Sequence, residues 1–536
     1  MPAPTAPSGE GSRTGANGNL PFFAMHKSFL SQTGRFLLLT ASLLANALAL
    51  TQSSTAAGPP PLPLAVWQQV VRTHLSSVVA LAPLPGGGAV VVGTMPGGDI
   101  DGEGQPRNQG VVTKWSAAGR LLWTQRMDFA RQVAVVGPHV YVLGYRGWGM
   151  YPPGYFPRLP LGDTAIVSRA RREGTVGFVV KLLDEGNRSR VVWVKQIAER
   201  NYTPLALTAL AVRGSSLYVG GHFHNGPLHL DGLTLAHPGE QGEHADMNSY
   251  DGFVAKLEDE GASARFVWAH AVDGEQGDYG SHDQVLHLQV QDSAVFVAGT
   301  FQGRSLTIGP LRMTKPDRPD RWRGYPDESL THTFVAKLLD RGSRSHVAWG
   351  RLLAGPNEPT ALAVQNSQVY LAGRLRASCA FDSLRVNHRG ERDSATLFLA
   401  QLDDHGPSAR FAWVGHAGDS GVYELNALVA HGPALYLGGR FPVSLAGVLA
   451  TGAAPRVASV LKLLNPGTTP QLAWALPADS ARGPQCVRAL AAHGPVLLAG
   501  GDRRLAWGPM PEALPTDPLT PAAKARPRQT RHRRLK

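Results

Sequence analysis

Apolar residues recur along this chain in short runs, and one arrangement of those runs occurs in six copies. The clearest copy, residues 251–270, reads DGFVAKLEDEGASARFVWAH: an apolar run containing a lysine, a charged turn with a glycine, and a second apolar run that reaches a tryptophan. The first run is too short for a helix and apolar at nearly every position, as in a strand buried on both faces. Asp259 and Gly261 supply turn residues. Each copy therefore predicts a β-hairpin.

The spacing within these copies is nearly constant. The lysine (glutamine at Gln401) precedes the turn glycine by five residues in every copy, and the tryptophan follows that glycine by seven residues in all but the first copy. One further tryptophan precedes the first copy. The repeat tryptophans are Trp67, Trp123, Trp193, Trp268, Trp349, Trp413 and Trp474.

A second motif, a β-branched or aromatic run closed by glycine, alternates with these tryptophans. Its glycines are Gly93, Gly144, Gly221, Gly299, Gly373, Gly439 and Gly500. With a shorter apolar run upstream, it predicts a second hairpin and hence four strands per unit. The last unit is split, because its final strand, with Trp67, begins the chain, and such an offset closes a ring without exposed terminal edges. We therefore predict an all-β fold: a seven-bladed β-propeller of four-stranded blades over residues 58–511, closed by the N-terminal strand, with the tryptophans packed between blades.

The run FVAKL, followed by the turn glycine and the tryptophan and preceded by strands such as VFVAG, resembles the bacterial seven-bladed β-propeller repeat family of exported proteins. The resemblance covers residues 62–509 and implies the propeller fold, but such repeats are not tied to one activity. The long insertions and the absence of the lysine hairpin from unit seven depart from the pattern. The copy KWSAAGRLLW, residues 114–123, also resembles the tryptophan-docking repeats of quinoprotein dehydrogenases.

Residues 1–57 are interpreted as an N-terminal extension followed by a signal peptide. After Met25, basic residues lead into an apolar run over residues 36–45, and small residues follow up to Ala49 and Ala57. The run is shorter than the roughly 20 residues of a membrane-spanning helix, so no transmembrane segment is expected in the mature chain. The sequence predicts export to the periplasm, the outer surface or the extracellular space.

The net charge of +12 is concentrated at the ends of the chain. Residues 1–57 contribute +2 and the basic tail, residues 512–536, contributes +5, which leaves +5 for residues 58–511. That charge is too diffuse for a nucleic-acid-binding surface, and the tail is expected to be disordered. The two cysteines, Cys379 and Cys486, predict a fold stabilised by its core, and their pairing is left open. We expect a monomer.

The length variation lies between the second and third strands of each unit, where 21 to 38 residues separate the repeat glycine from the next lysine or Gln401. Those loops share one face of a propeller, and ligands commonly bind to such loops. Two of them carry aromatic residues, which suit a protein or carbohydrate ligand at the cell surface. The candidates are Trp148, Tyr151, Tyr155, Trp322 and Tyr325. Alternatively, these rings fold the loops onto the propeller.

Two short stretches are weak candidates for metal binding. His222 and His224 alternate along a strand and would share one of its faces. Asp99 and Asp101 lie in DIDGEG, which resembles part of a calcium loop but lacks its third acidic position and distal glutamate. Neither stretch has the complete spacing of a known metal site, and no cofactor is predicted.

No phosphate-binding loop, nucleophile elbow or zinc-protease motif occurs in the sequence, so no catalytic residues are assigned. We predict an exported, non-enzymatic propeller that presents one loop-rich face to a glycan or a surface protein. The alternatives are a propeller enzyme, either a quinoprotein-like oxidoreductase or a polysaccharide lyase or hydrolase, and a purely structural member of an envelope assembly.

Overall fold

The computed structural model describes most of the region predicted to fold. All described residues lie within one unit of the chain, residues 58–536. Within the described ranges the chain forms only strands and their connections, and it contains no helix that could cross a membrane. The described ranges are 69–100, 106–127, 130–146, 158–161, 164–167, 176–198, 205–224, 226–236, 249–275, 281–315, 330–388, 395–417, 423–442, 457–464, 470–477 and 486–510.

The strands form seven four-stranded antiparallel sheets, and the sheet order follows the chain order. Blades 1 to 3 comprise β2 (Ser77–Pro83), β3 (Ala89–Ile100), β4 (Pro106–Trp115) and β5 (Leu121–Arg126); β6 (Ala130–Val136), β7 (His139–Arg146), β10 (Val176–Asp184) and β11 (Ser189–Ala198); and β12 (Ala206–Arg213), β13 (Ser216–His224), β16 (Tyr250–Asp259) and β17 (Ala264–Gly274). Blades 4 to 6 comprise β18 (Gln284–Gln291), β19 (Ala294–Phe301), β22 (His332–Asp340) and β23 (Ser345–Leu353); β24 (Asn357–Gln365), β25 (Gln368–Leu375), β28 (Thr396–Asp404) and β29 (Ala409–Ala417); and β30 (Glu424–His431), β31 (Ala434–Pro442), β32 (Val457–Leu464) and β33 (Gln471–Pro477).

The seventh blade joins the two ends of the chain. Its first three strands are β34 (Val487–His493), β35 (Val496–Gly501) and β36 (Arg504–Pro509), and its fourth is β1 (Gln69–Arg72). β1 pairs antiparallel with β36, from Gln69 opposite Trp507 to Arg72 opposite Arg504. The predicted seven-bladed propeller and its closure by the N-terminal strand are thereby confirmed.

The hydrophobic core lies between the blades. The described residues form seven buried clusters, one at each junction between neighbouring blades, including the junction of blade 7 with blade 1. The third strands are buried on both faces, as the uninterrupted apolar runs indicate: Phe253, Val254 and Ala255 have no solvent exposure. The repeated units thus fold into one continuous ring of interfaces.

The repeat glycines stand where the second strand passes close to a kink in the first. In each blade the first strand has a register shift, and the residue before that shift lies opposite a glycine, as Leu207 lies opposite Gly221. A Cβ at Gly221 would lie less than 3 Å from the carbonyl oxygen of Ala206, so a larger residue would push the strands apart. In blade 7 this position is Gly501, opposite Val487. The prediction of Gly500 was therefore wrong by one residue.

The lysine and tryptophan of each repeat meet an aspartate of the next blade. Lys181 lies directly opposite Trp193 in blade 2. The Lys181 ammonium is 2.6 Å from Asp259 Oδ2, and the Trp193 indole N–H donates to Asp259 Oδ1 at 3.0 Å. Asp259 belongs to the hairpin turn of blade 3, where its Oδ1 also accepts the N–H of Gly261, which has a positive φ. We call this arrangement the Asp–Lys–Trp triad.

Four consecutive junctions contain this triad, from blade 1 to blade 5. Its members are Lys114, Trp123 and Asp184; Lys181, Trp193 and Asp259; Lys256, Trp268 and Asp340; and Lys337, Trp349 and Asp404. In the second and third triads a tyrosine hydroxyl, from Tyr141 or Tyr218, also donates to the aspartate at 2.7 Å. These buried charges are paired and hydrogen-bonded, as charges outside water must be.

The remaining three junctions differ. In blade 5 Gln401 replaces the lysine, and the Trp413 indole donates to Gln401 of its own blade at 3.0 Å. Trp474 of blade 6 is buried, but its indole nitrogen has no hydrogen-bond partner among the described residues. In blade 7 the residue equivalent to the repeat lysine is Trp507, which lies opposite Leu498. Its indole N–H donates to Ala117 O of blade 1 at 2.9 Å. The position opposite it on the fourth strand is Gln69, and the predicted residue, Trp67, lies outside the described residues.

The triads predict a specific loss of stability in acid. Burial opposes ionisation of Asp340, but hydrogen bonds from Lys256, Tyr218 and Trp268 outweigh it and lower the pKa of Asp340. A carboxylate with a lowered folded-state pKa stabilises the fold above its unfolded pKa of about 3.9 and loses that effect as the pH falls through the folded-state pKa. The urea midpoints of wild type and Asp340→Asn should therefore differ by a constant amount above about pH 5 and converge below about pH 4.

Asp292→Asn is the matched control, because this carboxylate is 85% exposed and pairs with Arg213 only at the surface. Its urea midpoint should stay close to that of the wild type throughout. A difference between wild type and Asp340→Asn that does not change from pH 7 to pH 2.5 would contradict the role of the triad.

Candidate functional site

The insertions between second and third strands lie on one face of the propeller, which also carries the connections between blades. We call it the loop face, and the opposite face, with the triads, the turn face. In blades 2 to 5 each insertion includes a small hairpin: β8 (Arg158–Leu161) and β9 (Thr164–Val167), β14 (Leu228–Leu230) and β15 (Leu233–Leu235), β20 (Ser305–Ile308) and β21 (Leu311–Thr314), and β26 (Cys379–Phe381) and β27 (Leu384–Val386). These hairpins account for part of the unusual unit length.

The hairpins pack against the outer edges of the blades. β20 pairs with β17 of the preceding blade, with Ile308 opposite Val272, and extends that sheet to six strands. At the turns of two other hairpins, Asp231 and Asp382 accept the backbone N–H of Phe266 and Phe411 at 2.8 and 2.9 Å. Covering edge strands in this way protects them from pairing with other chains. Part of each insertion therefore has a structural role that the sequence did not indicate.

Between the hairpins of blades 4 and 5 the insertions leave a groove of about 340 Å³. Met313 and Leu352 supply apolar surface, and Arg351 and Asp382 supply charged groups. The Arg351 guanidinium donates to Ala409 O of blade 5, so the groove spans two blades that are joined at this point. An apolar surface with a few fixed polar groups is the usual composition of a ligand site.

Closer to the blade ends, four rings form a stack at the junction of blades 3 and 4. His222 and His224 lie on one face of β13 with ring centroids 5.6 Å apart, and Tyr250 contacts both at 4.5 and 4.8 Å. The ring of His282, just before β18, stacks on Tyr250 at 4.6 Å. The backbones of Tyr250 and His282 also form a parallel bridge.

His222 is an uncharged imidazole in this stack. Burial, followed by the neighbouring His224 and His282, lowers the pKa of His222 to about 3. A neutral imidazole can bind a metal, but among the described residues neither His222 nor His224 belongs to a group of three converging ligand atoms. In the part of the chain that the structure describes, this pair of histidines therefore has no third metal ligand beside it.

Three carboxylates converge on the same junction. Asp251 at the start of β16, Asp273 near the end of β17 and Asp283 just before β18 each offer an oxygen, and the three atoms lie within 4.8 Å of one another. Asp251 and Asp283 have no solvent exposure, whereas Asp273 is half-buried. We call these residues the acidic cluster.

Backbone groups from two blades hold Asp283 in place. Gly274 N donates to its Oδ2 at 2.6 Å and Gln302 N to its Oδ1 at 2.9 Å. Burial, followed by the charge of Asp251, raises the pKa of Asp283 well above its ordinary value despite these donors. A protonated carboxyl group could act as a general acid, but Asp283 is enclosed and cannot contact a substrate in this arrangement.

Most of the candidates predicted from the sequence fall outside the described residues. These are Trp148, Tyr151, Tyr155, Trp322, Tyr325 and Asp101. Asp99 lies on β3, and its side chain is not among those described. Neither Cys379, on β26, nor Cys486, before β34, forms a disulfide bond in the described part of the chain.

No family model matches the chain, and no curated protein matches it. Among solved structures, the chain is similar to the computationally designed Ika8 protein (13% identity, TM-score 0.35, covering 82% of this chain and 98% of that chain). It is also similar to Sqt1 from Chaetomium thermophilum (10%, TM-score 0.36, 83% and 98%). A third similar structure is the hemagglutinin-neuraminidase of parainfluenza virus 5 with the ligand DANA (8%, TM-score 0.31, 82% and 92%). We draw no conclusion about activity from similarities this low.

Proposed function

We propose that this protein is an exported, non-enzymatic propeller that binds a glycan or a surface protein through its loop face. The observation that carries the proposal is the groove between the hairpins of blades 4 and 5, because inserted segments that the propeller fold does not require supply half of its lining, beside β23 of blade 4. A rigid ring carrying inserted loops on one face is a common arrangement for binding. The turn face has short hairpins, and the turns of four of them, in blades 2 to 5, hold the aspartate of a triad.

In blades 2 to 5 part of each insertion forms a small hairpin, and contacts hold three of these hairpins against the outer edges of blades. The rest of an insertion can differ in sequence without altering a blade strand. The aromatic residues predicted to contact the ligand belong to such segments of blades 2 and 4, and their role stays a prediction.

A steric block of the groove tests the proposal. The purified protein is screened against a glycan array and a panel of surface proteins, and the affinity for each captured molecule is measured. Thr314→Trp places a large side chain at an exposed position that lines the groove, and should weaken binding by about tenfold or more. Thr234→Trp, at an exposed position of the blade 3 hairpin, should leave binding unchanged.

A second variant addresses the aromatic segments. Replacing Trp148, Tyr155, Trp322 and Tyr325 together by alanine should abolish capture while the melting temperature stays within a few degrees of wild type. If neither this variant nor Thr314→Trp changes the affinity, the ligand site is not on the loop face. Turnover of a captured glycan would contradict the non-enzymatic part of the proposal.

A further inference from the structure

We propose that the acidic cluster, Asp251, Asp273 and Asp283, binds a divalent cation of the calcium type. The three oxygens lie within 4.8 Å of one another. Calcium takes oxygen ligands at about 2.3–2.6 Å, so two oxygens on one ion stand up to about 5 Å apart. The spacing therefore fits a single shared ion, and the proposal does not depend on the ligand proposed for the loop face.

The burial of the cluster argues for an ion. Two of the three carboxylates have no contact with solvent. Ionised carboxylates removed from water and placed side by side repel one another, and the arrangement is costly unless protons or a cation neutralise the charge. Asp283 is nevertheless fixed by two backbone N–H donors, which are the partners of an ionised group. A divalent cation offsets two of the three negative charges and fits the spacing of the oxygens.

A neighbouring hydroxyl supplies an independent observation. Ser281 is fully buried, and its Oγ makes no hydrogen bond to any described residue. Side chains alternate along extended backbone, so Ser281 and Asp283 lie on one side of this segment and His282 on the other. The stacking of His282 on Tyr250 fixes the side that His282 occupies. The Ser281 hydroxyl is therefore directed to the side of the carboxylates, where a cation would give its oxygen a partner.

The donor set decides the class of metal. Carboxylate and hydroxyl oxygens are hard ligands, which calcium and magnesium prefer, whereas zinc and copper select nitrogen and sulfur. Magnesium binds oxygen at the shorter distance of about 2.0–2.1 Å, so its ligand oxygens must lie closer together than those of calcium. The oxygens of the acidic cluster, which lie within 4.8 Å of one another, suit the larger ion better. Because side chains alternate along extended backbone, the rings of Tyr250 and His282 lie on the opposite side of these segments from Asp251 and Asp283. Calcium is therefore the preferred ion.

An ion here would link two blades. Asp251 and Asp273 belong to blade 3, and Asp283 directly precedes β18, the first strand of blade 4. Asp283 accepts backbone N–H groups at the ends of β17 and β19. The triad of Lys256, Trp268 and Asp340 joins the same two blades on the turn face. The cation would hold this junction on the loop face, so its binding should raise the stability of the ring.

Calcium alone is the probe for the test. The full chain is treated with EDTA, dialysed into metal-free buffer and titrated with calcium chloride, magnesium chloride or zinc chloride while melting temperature and bound metal are measured. We expect one calcium ion per chain and a rise in melting temperature of roughly 3–5 °C at saturation. No bound calcium and no shift in the wild type would overturn the proposal, and a response to zinc alone would overturn the assignment to calcium.

Asp273→Asn separates metal binding from a structural role. Because this residue is half-buried, the neutral amide should be tolerated. In EDTA the variant should be at least as stable as the wild type, since one repelling charge is removed. In calcium it should be less stable, since its response to the metal is lost, whereas Asp292→Asn, at an exposed turn, should respond like the wild type. An Asp273→Asn variant that keeps the full calcium response would contradict the proposed site.

Discussion

A chain that begins at residue 74 is expected to be far less stable than one that begins at residue 58 and ends at residue 514. Only the first lacks β1, whose four residues pair with β36 and close the ring. The lost hydrogen bonds and the burial of Val71 in the core between blades 7 and 1 together contribute roughly 4–6 kcal/mol. Thermal unfolding of both chains against residues 58–536 measures the difference, and light scattering should show that the open ring associates through its free edge.

Two point variants provide a matched comparison at this strand. Val71 packs against the core, whereas its neighbour Val70 is 40% exposed. Val71→Asp should lower the melting temperature markedly because it places a charge at a partly buried site, and Val70→Asp should change it little. Equal melting temperatures for the two truncated chains would contradict ring closure by β1.

Trp268→Ala is expected to lower the free energy of unfolding by roughly 3–5 kcal/mol, as truncation of a buried aromatic residue does. Trp268 is only 5% exposed, packs against Tyr218 between blades 3 and 4, and donates to Asp340 at 3.1 Å. Its removal leaves a cavity and takes one donor from a buried carboxylate. Urea unfolding monitored by circular dichroism gives the difference.

Trp413 is the internal control for this prediction. It occupies the equivalent position in blade 5 but is only half-buried and bonds to Gln401 of its own blade, so Trp413→Ala should have the smaller effect. Trp268→Phe keeps most of the packing but removes the indole N–H, and should cost about 1–3 kcal/mol. A neutral Trp268→Ala would place the tryptophan outside the stabilising core and reopen a binding role for it.

The fold could be predicted from the sequence because its strongest constraints are local. The lysine and tryptophan of one hairpin lie opposite each other, as Lys256 and Trp268 do, so their separation along the chain is set by a single turn and recurs in all but the first copy. The repeat glycines reflect a close approach between adjacent strands of one blade. Such features leave a regular spacing that can be counted without a structure.

Contacts between two blades were not predicted, because the residues that form them are far apart in the sequence. Asp259 and its counterparts were read as turn residues, and only the structure shows that they bind the lysine and tryptophan of the preceding blade. Their constant position, three residues after the lysine, was the signal that could have revealed the contact. In blade 7 the place of Gln69 depends on pairing between the two ends of the chain, which no local spacing records.

The acidic cluster was not predicted for a related reason. Asp251, Asp273 and Asp283 stand at three different strand ends, separated by segments in which charged residues are common. The backbone bridge between Tyr250 and His282 brings the residues that follow them, Asp251 and Asp283, side by side. Nothing in the spacing of these residues resembles a metal-binding motif, so the burial that makes them unusual becomes visible only in the folded ring.

The pairing of β1 with β36 also links folding to the completion of protein synthesis. Among the described strands, β1 is the first that a ribosome makes and β36 is the last, with more than 400 residues between Arg72 and Arg504. The entropy of closing so long a loop grows only slowly with its length, so the distance itself is no obstacle once both strands exist. A chain that stops before Pro509 has no complete partner for β1 and keeps an exposed strand edge. The ring can therefore close only after the chain has been made as far as β36.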